Sequence, residues 1–539
     1  MNGFGALLRL RVRRDAVQLS IWTAAMLLLA YGSSVGVTEN FGSLEERRSL
    51  LALAVANPVI LLFRGLPSGT EEGAFIVFLV LPFLAMLAAL MAAFLAVRHT
   101  RAEEETGRAE LAAATPAGRW VPFTATLVHG TLACIVLGAA AAVGLVASGL
   151  APAGSMFTGA AVALTGLVFL SVGLLSAQLF FSARAANSLT VMLLVGTFII
   201  GGVGNALGTP DDALTRMESS PLAWVSPFVW AENSRPFADD DAGPLLLALA
   251  VSAVLVAGAV ALQAIRDVGS GVLAARTARA EAPAMLSSPV GLVWRLSAGS
   301  LLAWTLGAAT VGVLSTSLAS VVEELASDNR AVQAMLERLA AEGSMDQGLI
   351  VTFFVMVGVL AACFGVQTVQ RARQEETHGT AEATLGAPVD RARWLGAFLV
   401  VAFIGIVVII GAAVATAAIA LTAIGGDSSL ISDALVVGAG QALAAAVFTS
   451  LTAIVFTLAP RLTIGLGWSL VLVAAGLALF GTIFGIDEDI VALSPFAAVP
   501  VPEGDGVDAN GVVWLAVAVL AGAAASLALM RRRELAPGG

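Results

Sequence analysis

Two sets of charged residues recur at one spacing in this 539-residue chain, each between two long apolar runs. The first set begins at Arg101 and the second at Arg373, a constant offset of 272 residues without a gap. No catalytic constellation accompanies either set, so the chemistry they offer is charge-paired binding. A repeated charged loop presents one docking surface twice, which predicts a soluble partner with two equivalent sockets. The predicted docking residues are Arg101, Glu103, Glu104, Gly107 and Glu110 in the first set and Arg373, Glu375, Glu376, Gly379 and Glu382 in the second.

The composition determines which class of protein must position these residues. Hydrophobic residues make up 58% of the chain, charged residues 12%, and the mean hydropathy is +0.92. A soluble protein carries about 25% charged residues, so this chain cannot cover a normal water-facing surface. Apolar runs of about 20 residues cross the hydrocarbon core as helices, and these runs lack the alternation of barrel strands. The sequence therefore predicts an all-α polytopic membrane protein.

Twelve spans are predicted, six in each half. Ser226-Pro-Phe before the sixth span and Ser494-Pro-Phe before the twelfth extend the repeat. Residues 4–14 and 288–296 are basic and apolar, which favours an interfacial helix before the first span of each half. We therefore expect two parallel six-helix halves, 1–265 and 288–539, joined by a cytoplasmic linker at 266–287. The predicted spans lie near 16–36, 73–97, 120–149, 156–182, 188–207, 244–265, 299–318, 347–370, 394–424, 432–458, 464–485 and 511–530.

The distribution of arginine orients the predicted spans. With both termini inside, 21 of the 28 arginines fall in cytoplasmic segments, and acidic clusters such as 239–241 and 487–489 fall outside. The positive-inside rule then predicts a multi-pass protein with both termini in the cytoplasm. Two outer segments have structure of their own. Residues 320–343 show helical amphipathic spacing, and 208–243 is either a short re-entrant hairpin or an ordered loop with tryptophan anchors.

Polar residues inside the predicted spans are few. Gln178 and Gln441 occupy the corresponding fourth spans of the two halves, where they either hydrogen-bond between helices or face a substrate cavity. No acid lies at a predicted midplane, where ion-coupled transporters usually carry one. His129 is the one intramembrane histidine, and it is expected to be a packing residue. The candidate cavity residues are Gln178, Asn205, Gln367 and Gln441.

The chain contains no lysine. The phosphate-binding loop of P-loop NTPases requires a lysine that reaches the β- and γ-phosphates, so this loop cannot be present. If ATP drives this protein, another polypeptide hydrolyses it. We therefore expect a transport subunit that is not itself an enzyme and binds neither metal nor cofactor.

The order of these features resembles the ABC-2 type exporter permeases. It is most similar to the double-length permeases of actinobacterial polyketide-antibiotic and multidrug exporters, of the tetronasin-resistance type, with a type V exporter-like fold. The resemblance rests on the glutamate-rich cytoplasmic helices and the Pro-x-x-Arg turns that follow them, at Pro116–Arg119 and Pro388–Arg391, and on the Trp224–Phe237 stretch.

What the resemblance implies is an export function. By this resemblance the charged segments are expected to be coupling helices seated on separate ATPase subunits, which bind ATP and Mg²⁺. The gapless match of the two segments predicts that these subunits form a homodimer. The chain lies in the lipid bilayer of a bacterial plasma membrane and exports hydrophobic drugs or antibiotics, without a role for nucleic acid. Two alternatives stay open: an ion-coupled secondary drug antiporter, and a non-transporting membrane scaffold or sensor that recruits an ATPase. The sequence does not specify the substrate.

Overall fold

The computed structural model describes most of the chain and divides it into two compact units, Met1–Ala278 and Arg279–Gly539. The described residues are 2–56, 58–113, 118, 120–267, 269–273, 283, 287–328, 345–424, 428–480, 487–503, 506–508 and 511–534.

The first unit is built from helices with one short two-stranded ribbon on the outer loop. Its β-strands, Thr209–Pro210 (β1) and Met217–Glu218 (β2), pair antiparallel, with Thr209 opposite Glu218. A 3₁₀ turn over Pro221–Val225 follows this ribbon. The helices are α1 (Asn2–Asn40), α2 (Leu44–Ala56), α3 (Pro58–Phe63), α4 (Glu72–Arg98), α5 (Arg101–Glu105), α6 (Arg108–Ala113), α7 (Val121–Ala147), α8 (Pro152–Leu179), α9 (Ala183–Ala206), α10 (Pro227–Asn233) and α11 (Gly243–Ile265).

The second unit repeats this plan. Its ribbon is formed by β3 (Val501–Glu503) and β4 (Gly506–Asp508), and a 3₁₀ turn covers Pro460–Leu462. The helices are α12 (Pro289–Asp328), α13 (Met345–Thr377), α14 (Thr380–Leu385), α15 (Arg391–Ile424), α16 (Ser429–Leu458), α17 (Thr463–Phe480), α18 (Glu488–Val491) and α19 (Val512–Arg532).

Twelve helices in the described residues are long and apolar enough to cross a membrane. This confirms the prediction of an all-α polytopic membrane protein with about twelve spans. In the first unit α4 and α8 are the most buried spans, and α8 packs against α4, α7 and α11. The first and last spans of each unit, α1, α11, α12 and α19, bury few of their residues, so most of their apolar surface is exposed. In a bilayer such surface faces lipid, because lipid tails are as apolar as these side chains.

The two predicted interfacial helices are wrong. The basic segments 4–14 and 288–296 are not separate interfacial helices, because α1 and α12 continue through them into the spans. No proline interrupts either helix beyond its first turn, and nothing else in the sequence stops helix propagation there. The start of the predicted linker also belongs to the first unit, where the amides of Val272 and Leu273 donate to the carbonyls of Gln178 and Leu179, at 3.2 and 2.9 Å.

The outer loops are only partly as predicted. Residues 208–242 hold the β1–β2 ribbon, the 3₁₀ turn and α10, whose residues from Pro227 to Glu232 are buried. α10 packs against α4, α8, α9 and α11 and so forms a short helix set among these four spans. The predicted outer helix at 320–343 begins as the end of α12, and its residues 329–344 lie outside the described part of the chain.

A glycine pair brings α7 and α8 close together. A Cβ atom added at Gly138 would lie 2.3 Å from the carbonyl oxygen of Gly159, and one added at Gly159 would lie 2.5 Å from that of Gly138. Small residues at such a crossing allow two membrane helices to approach through their backbones. Neither position therefore tolerates a side chain without separating the helices.

We expect Gly138→Ala to destabilise the first unit by about 1–3 kcal/mol, as overpacking of a tight interface does. Gly196→Ala is the matched control, because a Cβ there meets nothing within 4 Å on α9. The control should leave stability unchanged or raise it by up to about 1 kcal/mol, since alanine favours helix over glycine. Thermal unfolding in detergent, followed by tryptophan fluorescence, measures both. Equal melting of the two variants would mean that α7 and α8 do not touch here.

Candidate functional site

The two charged segments share one backbone conformation. In the first, Gly107 separates α5 from α6, and in the second, Gly379 separates α13 from α14. Both glycines are left-handed, with φ of 71° and 75°, a region that other residues adopt at a cost. Their carbonyls accept from the amides of Glu110 and Glu382, each at 3.2 Å. The repeated glycine in the sequence therefore marks a turn that the chain makes twice.

The first charged segment is joined to the last span of its unit by an Arg–Glu–Arg cluster. Glu104 Oε2 accepts from Arg101 Nη1 at 2.7 Å and from Arg266 Nη1 at 2.9 Å. Arg101 is buried and also donates to the carbonyls of Ala177 and Ser270, at 3.1 and 2.6 Å. Arg266 directly follows α11. Through these contacts α5 is attached to both α8 and α11.

The second charged segment has the same cluster. Glu376 is fully buried and accepts from Arg373 Nη1 at 3.1 Å. Both of its oxygens also accept from Arg533 Nη2, at 2.6 and 2.8 Å. Arg533 directly follows α19 and lies over the Phe456 ring of α16, 4.6 Å from its centroid. Arg391, which opens α15, donates to the carbonyl of Arg533 at 2.5 Å.

Arg266 and Arg533 are members of the two clusters that the sequence reasoning missed. Each directly follows the sixth span of its half, at an offset of 267 residues rather than 272. That repeated position was visible in the sequence. Their partners were not, because an ion pair depends on which helix ends become neighbours.

The clusters divide the ten predicted docking residues into two groups. Arg101, Glu104, Arg373 and Glu376 are engaged within the chain. Glu103 also points inward, where its carboxylate lies 3.1 Å from Arg11 Nη2 and 3.4 Å from Arg14 Nη1. Glu375 is half-buried and accepts from Thr380. The exposed residues are Glu110 on α6 and Glu382 on α14, whereas the turn glycines Gly107 and Gly379 are half-buried. Pro116 and Arg119 lie outside the described residues, and Pro388 lies in the exposed turn before α15.

The four predicted cavity residues each hydrogen-bond within their own unit. Gln178 Oε1 accepts from Arg266 Nε at 2.5 Å, and Asn205 Nδ2 donates to Glu232 at 2.6 Å. Gln367 Oε1 accepts from Ser300 and Trp304, and Gln441 Nε2 donates to the carbonyl of Phe496 at 3.1 Å. These contacts favour the interpretation that the four side chains form structural hydrogen bonds over the alternative that they line one substrate cavity.

Gln178 and Gln441 also differ in depth. Gln178 is one residue from the end of α8, whereas Gln441 lies near the middle of α16 against Gly358 of α13. Gln178 lines a pocket of about 460 Å³ at the charged end of the first unit. The two glutamines therefore occupy corresponding helices without being equivalent.

His129 is buried and contacts two other parts of the first unit. Its Nε2 lies 3.0 Å from Asp15 Oδ2 of α1, and the same oxygen lies 2.5 Å from His99 Nε2. The rings of His99 and His129 meet edge to face, with centroids 5.5 Å apart. Two of the three histidines thus converge on one carboxylate although they lie far apart in the sequence.

Glu232 is a buried acid outside the membrane-spanning helices. It lies on α10, and the Asn205 amide is its hydrogen-bond donor at 2.6 Å. Burial raises the pKa of Glu232 to about 8, and the Asn205 hydrogen bond opposes this shift only in part. At neutral pH the carboxyl is therefore mostly protonated.

This raised pKa predicts a pH-dependent stability. The ordinary pKa of Glu232 is 4.5, so between 4.5 and about 8 the folded chain holds a proton that the unfolded chain has released. The free energy of unfolding should therefore fall as pH rises through this window, by an amount on the order of a few kcal/mol. Glu232→Gln keeps a neutral amide there and should remove this contribution. Melting temperatures of both proteins across the pH window measure it, and parallel curves would contradict the assignment.

The second unit contains an apolar cavity of about 600 Å³ between α15 and α16. Its lining carries no charged side chain and no side-chain amide. Val519 of α19 completes the wall. Representative lining residues are Phe403, Ile406, Ile410, Leu435, Leu443 and Val519.

Comparison with known proteins agrees with this two-part architecture. The family described as multidrug efflux system permease Rv1217c, C-terminal domain, matches residues 5–263 and 286–531, one segment in each half. The multidrug efflux system permease protein Rv1217c of Mycobacterium tuberculosis is 33% identical over 519 residues, which cover 95% of this chain and 92% of that protein. With both halves matched and identity along almost the whole length, this chain belongs to the multidrug efflux permease family.

Proposed function

We propose that this permease is the membrane subunit of an ATP-driven exporter that moves hydrophobic drugs or antibiotics out of the cell. The observation that carries the proposal is the pair of Arg–Glu–Arg clusters, which attach each charged segment to the last span of its own half. The name of the relative, a multidrug efflux system permease, supports the substrate class. The apolar cavity in the second unit is also suited to hydrophobic molecules.

Separate ATPase subunits supply the energy in this proposal. The chain has no lysine for a phosphate-binding loop, so Mg²⁺ and ATP are bound by the partner. Glu110 and Glu382 occupy equivalent positions on α6 and α14 and are exposed. Two matching exposed helices support docking on two identical sockets, which an ATPase homodimer provides.

The clusters give the docked segments a means of moving the membrane helices. A partner that displaces α5 and α6 also displaces Glu104, and with it Arg266 at the end of α11. In the second half, displacement of Glu376 likewise displaces Arg533 at the end of α19. Buried, multiply hydrogen-bonded ion pairs hold this geometry more firmly than solvated ones. The last span of each half is thus the element that we expect to follow the ATPase.

The proposal places the chain in a bacterial plasma membrane with both termini in the cytoplasm. The arginine distribution supports this orientation, because basic residues are retained on the cytoplasmic side. Both charged segments then face the ATPase, and Glu232 on α10 faces the outside.

An ion-coupled antiporter is the second candidate, and the buried acids Glu232 and Asp15 favour it. An antiporter binds its ion at a site near the middle of the membrane. Asp15 instead lies at the charged end of the first unit, and Glu232 lies in the outer loop. These positions make the ATP-driven exporter the better-supported function.

The stoichiometry of the complex tests the proposal. Co-expressed with its proposed ATPase partner, the chain should purify as one permease with two identical ATPase chains, measured by native mass spectrometry. The partner-free chain should neither bind nor hydrolyse ATP. Two different ATPase chains, two permeases in one complex, or nucleotide turnover by the chain alone would each contradict the proposal.

A further inference from the structure

Three buried side chains from distant parts of the sequence meet at the charged end of the first unit. Asp15 belongs to α1, His99 directly follows α4, and His129 belongs to α7. Each is at most 2% exposed. One possible ligand atom from each lies within 4.8 Å of the others. Asp15 Oδ2 is 2.5 Å from His99 Nε2 and 3.0 Å from His129 Nε2.

The contact between His99 and Glu103 bears on which His99 ring nitrogen carries the proton and which carries a lone pair. The Nδ1 atom of His99 lies 3.3 Å from Glu103 Oε1, so in the tautomer with an N–H on Nδ1 that group donates to the Glu103 carboxylate. A neutral imidazole carries a single N–H, which leaves a lone pair on Nε2. That lone pair faces the Asp15 oxygen, also rich in electrons, at 2.5 Å. A cation between the two atoms, either a proton or a metal ion, removes the repulsion.

We propose that Asp15, His99 and His129 bind one divalent transition-metal ion of the Zn²⁺ type. Zinc binds imidazole nitrogen and carboxylate oxygen at about 2.0–2.2 Å, which sets tetrahedral ligand atoms about 3.3 Å apart. The observed separations of 2.5 and 3.0 Å from Asp15 Oδ2 need to widen by less than an ångström. Mg²⁺ and Ca²⁺ prefer oxygen ligands, so two imidazoles select against them.

The surroundings match those of protein metal sites. Ligating histidines usually donate their second N–H to a carboxylate, as His99 does to Glu103. Arg98 Nη2 lies 3.2 Å from the second oxygen of Asp15 and holds that carboxylate in place. His99 and Glu103 also line the pocket of about 460 Å³, so the three side chains lie beside a cavity. The nearby arginines repel a cation, so we expect weaker binding than at a site without them.

The site differs between the two halves. At the offset of 272 residues, His99 corresponds to Arg371 and His129 to Val401, neither of which can replace it as a ligand. A bound ion would fasten α1 and α7 to the end of α4, immediately before the first charged segment. It would therefore stiffen the first of the two segments, whether or not an ATPase docks there.

Metal uptake by the purified full chain tests this inference. The protein is prepared with a purification tag that contains no histidine and titrated with Co²⁺, whose visible absorption reports tetrahedral nitrogen and oxygen ligands. Zn²⁺ is then used to displace the Co²⁺. We expect one ion per chain in the wild type, and loss of the Co²⁺ spectrum in His99→Ala and His129→Ala. His378→Ala removes an exposed histidine of the second unit and should bind as the wild type does.

Stability measurements separate a lost ligand from a lost fold. Zn²⁺ should raise the melting temperature of the wild type and of His378→Ala, because an ion that binds the folded state stabilises it. It should not raise that of Asp15→Asn, which keeps the size of the side chain. Folded, monodisperse wild type that takes up neither ion would overturn the proposal and leave a proton-bridged His–Asp pair. Retention of the metal by both histidine variants would overturn it equally.

Discussion

Glu376→Ala is expected to destabilise the second unit by about 3–5 kcal/mol, as removal of one partner from a buried ion pair does. The carboxylate is fully buried and accepts from both Arg373 and Arg533. Its loss removes the carboxylate that both guanidinium groups share. The free energy of unfolding, from denaturant titration of the detergent-solubilised chain, measures the effect.

Glu382→Ala is the matched control for this substitution. Glu382 lies six residues further along the same charged segment and is exposed. Its removal should change stability by no more than about 0.5 kcal/mol. If Glu376→Ala and Glu382→Ala unfolded at the same denaturant concentration, the Glu376 carboxylate would have to be solvated and the cluster would not exist. Glu104→Ala should behave as Glu376→Ala does, and to a smaller extent, because Glu104 is less buried.

Reversing the charge of the two exposed glutamates, Glu110 and Glu382, is expected to have the second large effect, on binding of the ATPase. Glu110→Arg combined with Glu382→Arg should abolish drug efflux and recovery of the ATPase, while the chain folds and inserts normally. If these acids contact basic grooves on the partner, their loss costs about 2–5 kcal/mol of binding at each segment. Fluorescent-substrate efflux from cells and the yield of co-purified ATPase, at matched permease levels, are the two readouts.

Asp212→Arg controls for the effect of changing an exposed acid to arginine away from the charged segments. Asp212 is exposed in the loop between β1 and β2, at the opposite end of the first unit from its charged segment. It should leave both efflux and ATPase recovery unchanged. Wild-type efflux by the double reversal would show that Glu110 and Glu382 are only solvated helix residues.

The fold was predictable from the sequence because span formation depends on local properties. The length of the apolar runs, and their lack of the apolar–polar alternation of barrel strands, were enough to predict twelve helices. The left-handed turns were also marked locally, by Gly107 and Gly379. The failures arose where boundaries are weakly specified, as at the start of α1, where no helix-breaking residue separates Arg14 from the span.

The chemistry of the charged segments was less predictable, because it depends on tertiary neighbours. Glu104 and Glu376 looked like surface acids on a solvated loop, yet Arg266 and Arg533 cover them from the ends of other helices. The meeting of His99 with His129 likewise requires α4 and α7 to pack together. No sequence spacing encodes either contact.

The energy source of transport tests the central claim most directly. The permease is reconstituted into liposomes with or without the ATPase, and export of a hydrophobic dye is followed after addition of Mg-ATP or imposition of a proton gradient. We predict dye transport only when ATPase and Mg-ATP are both present, and its loss in the Glu110→Arg, Glu382→Arg double variant. Transport by the permease alone, driven by the proton gradient and indifferent to ATP, would contradict the account and identify an antiporter.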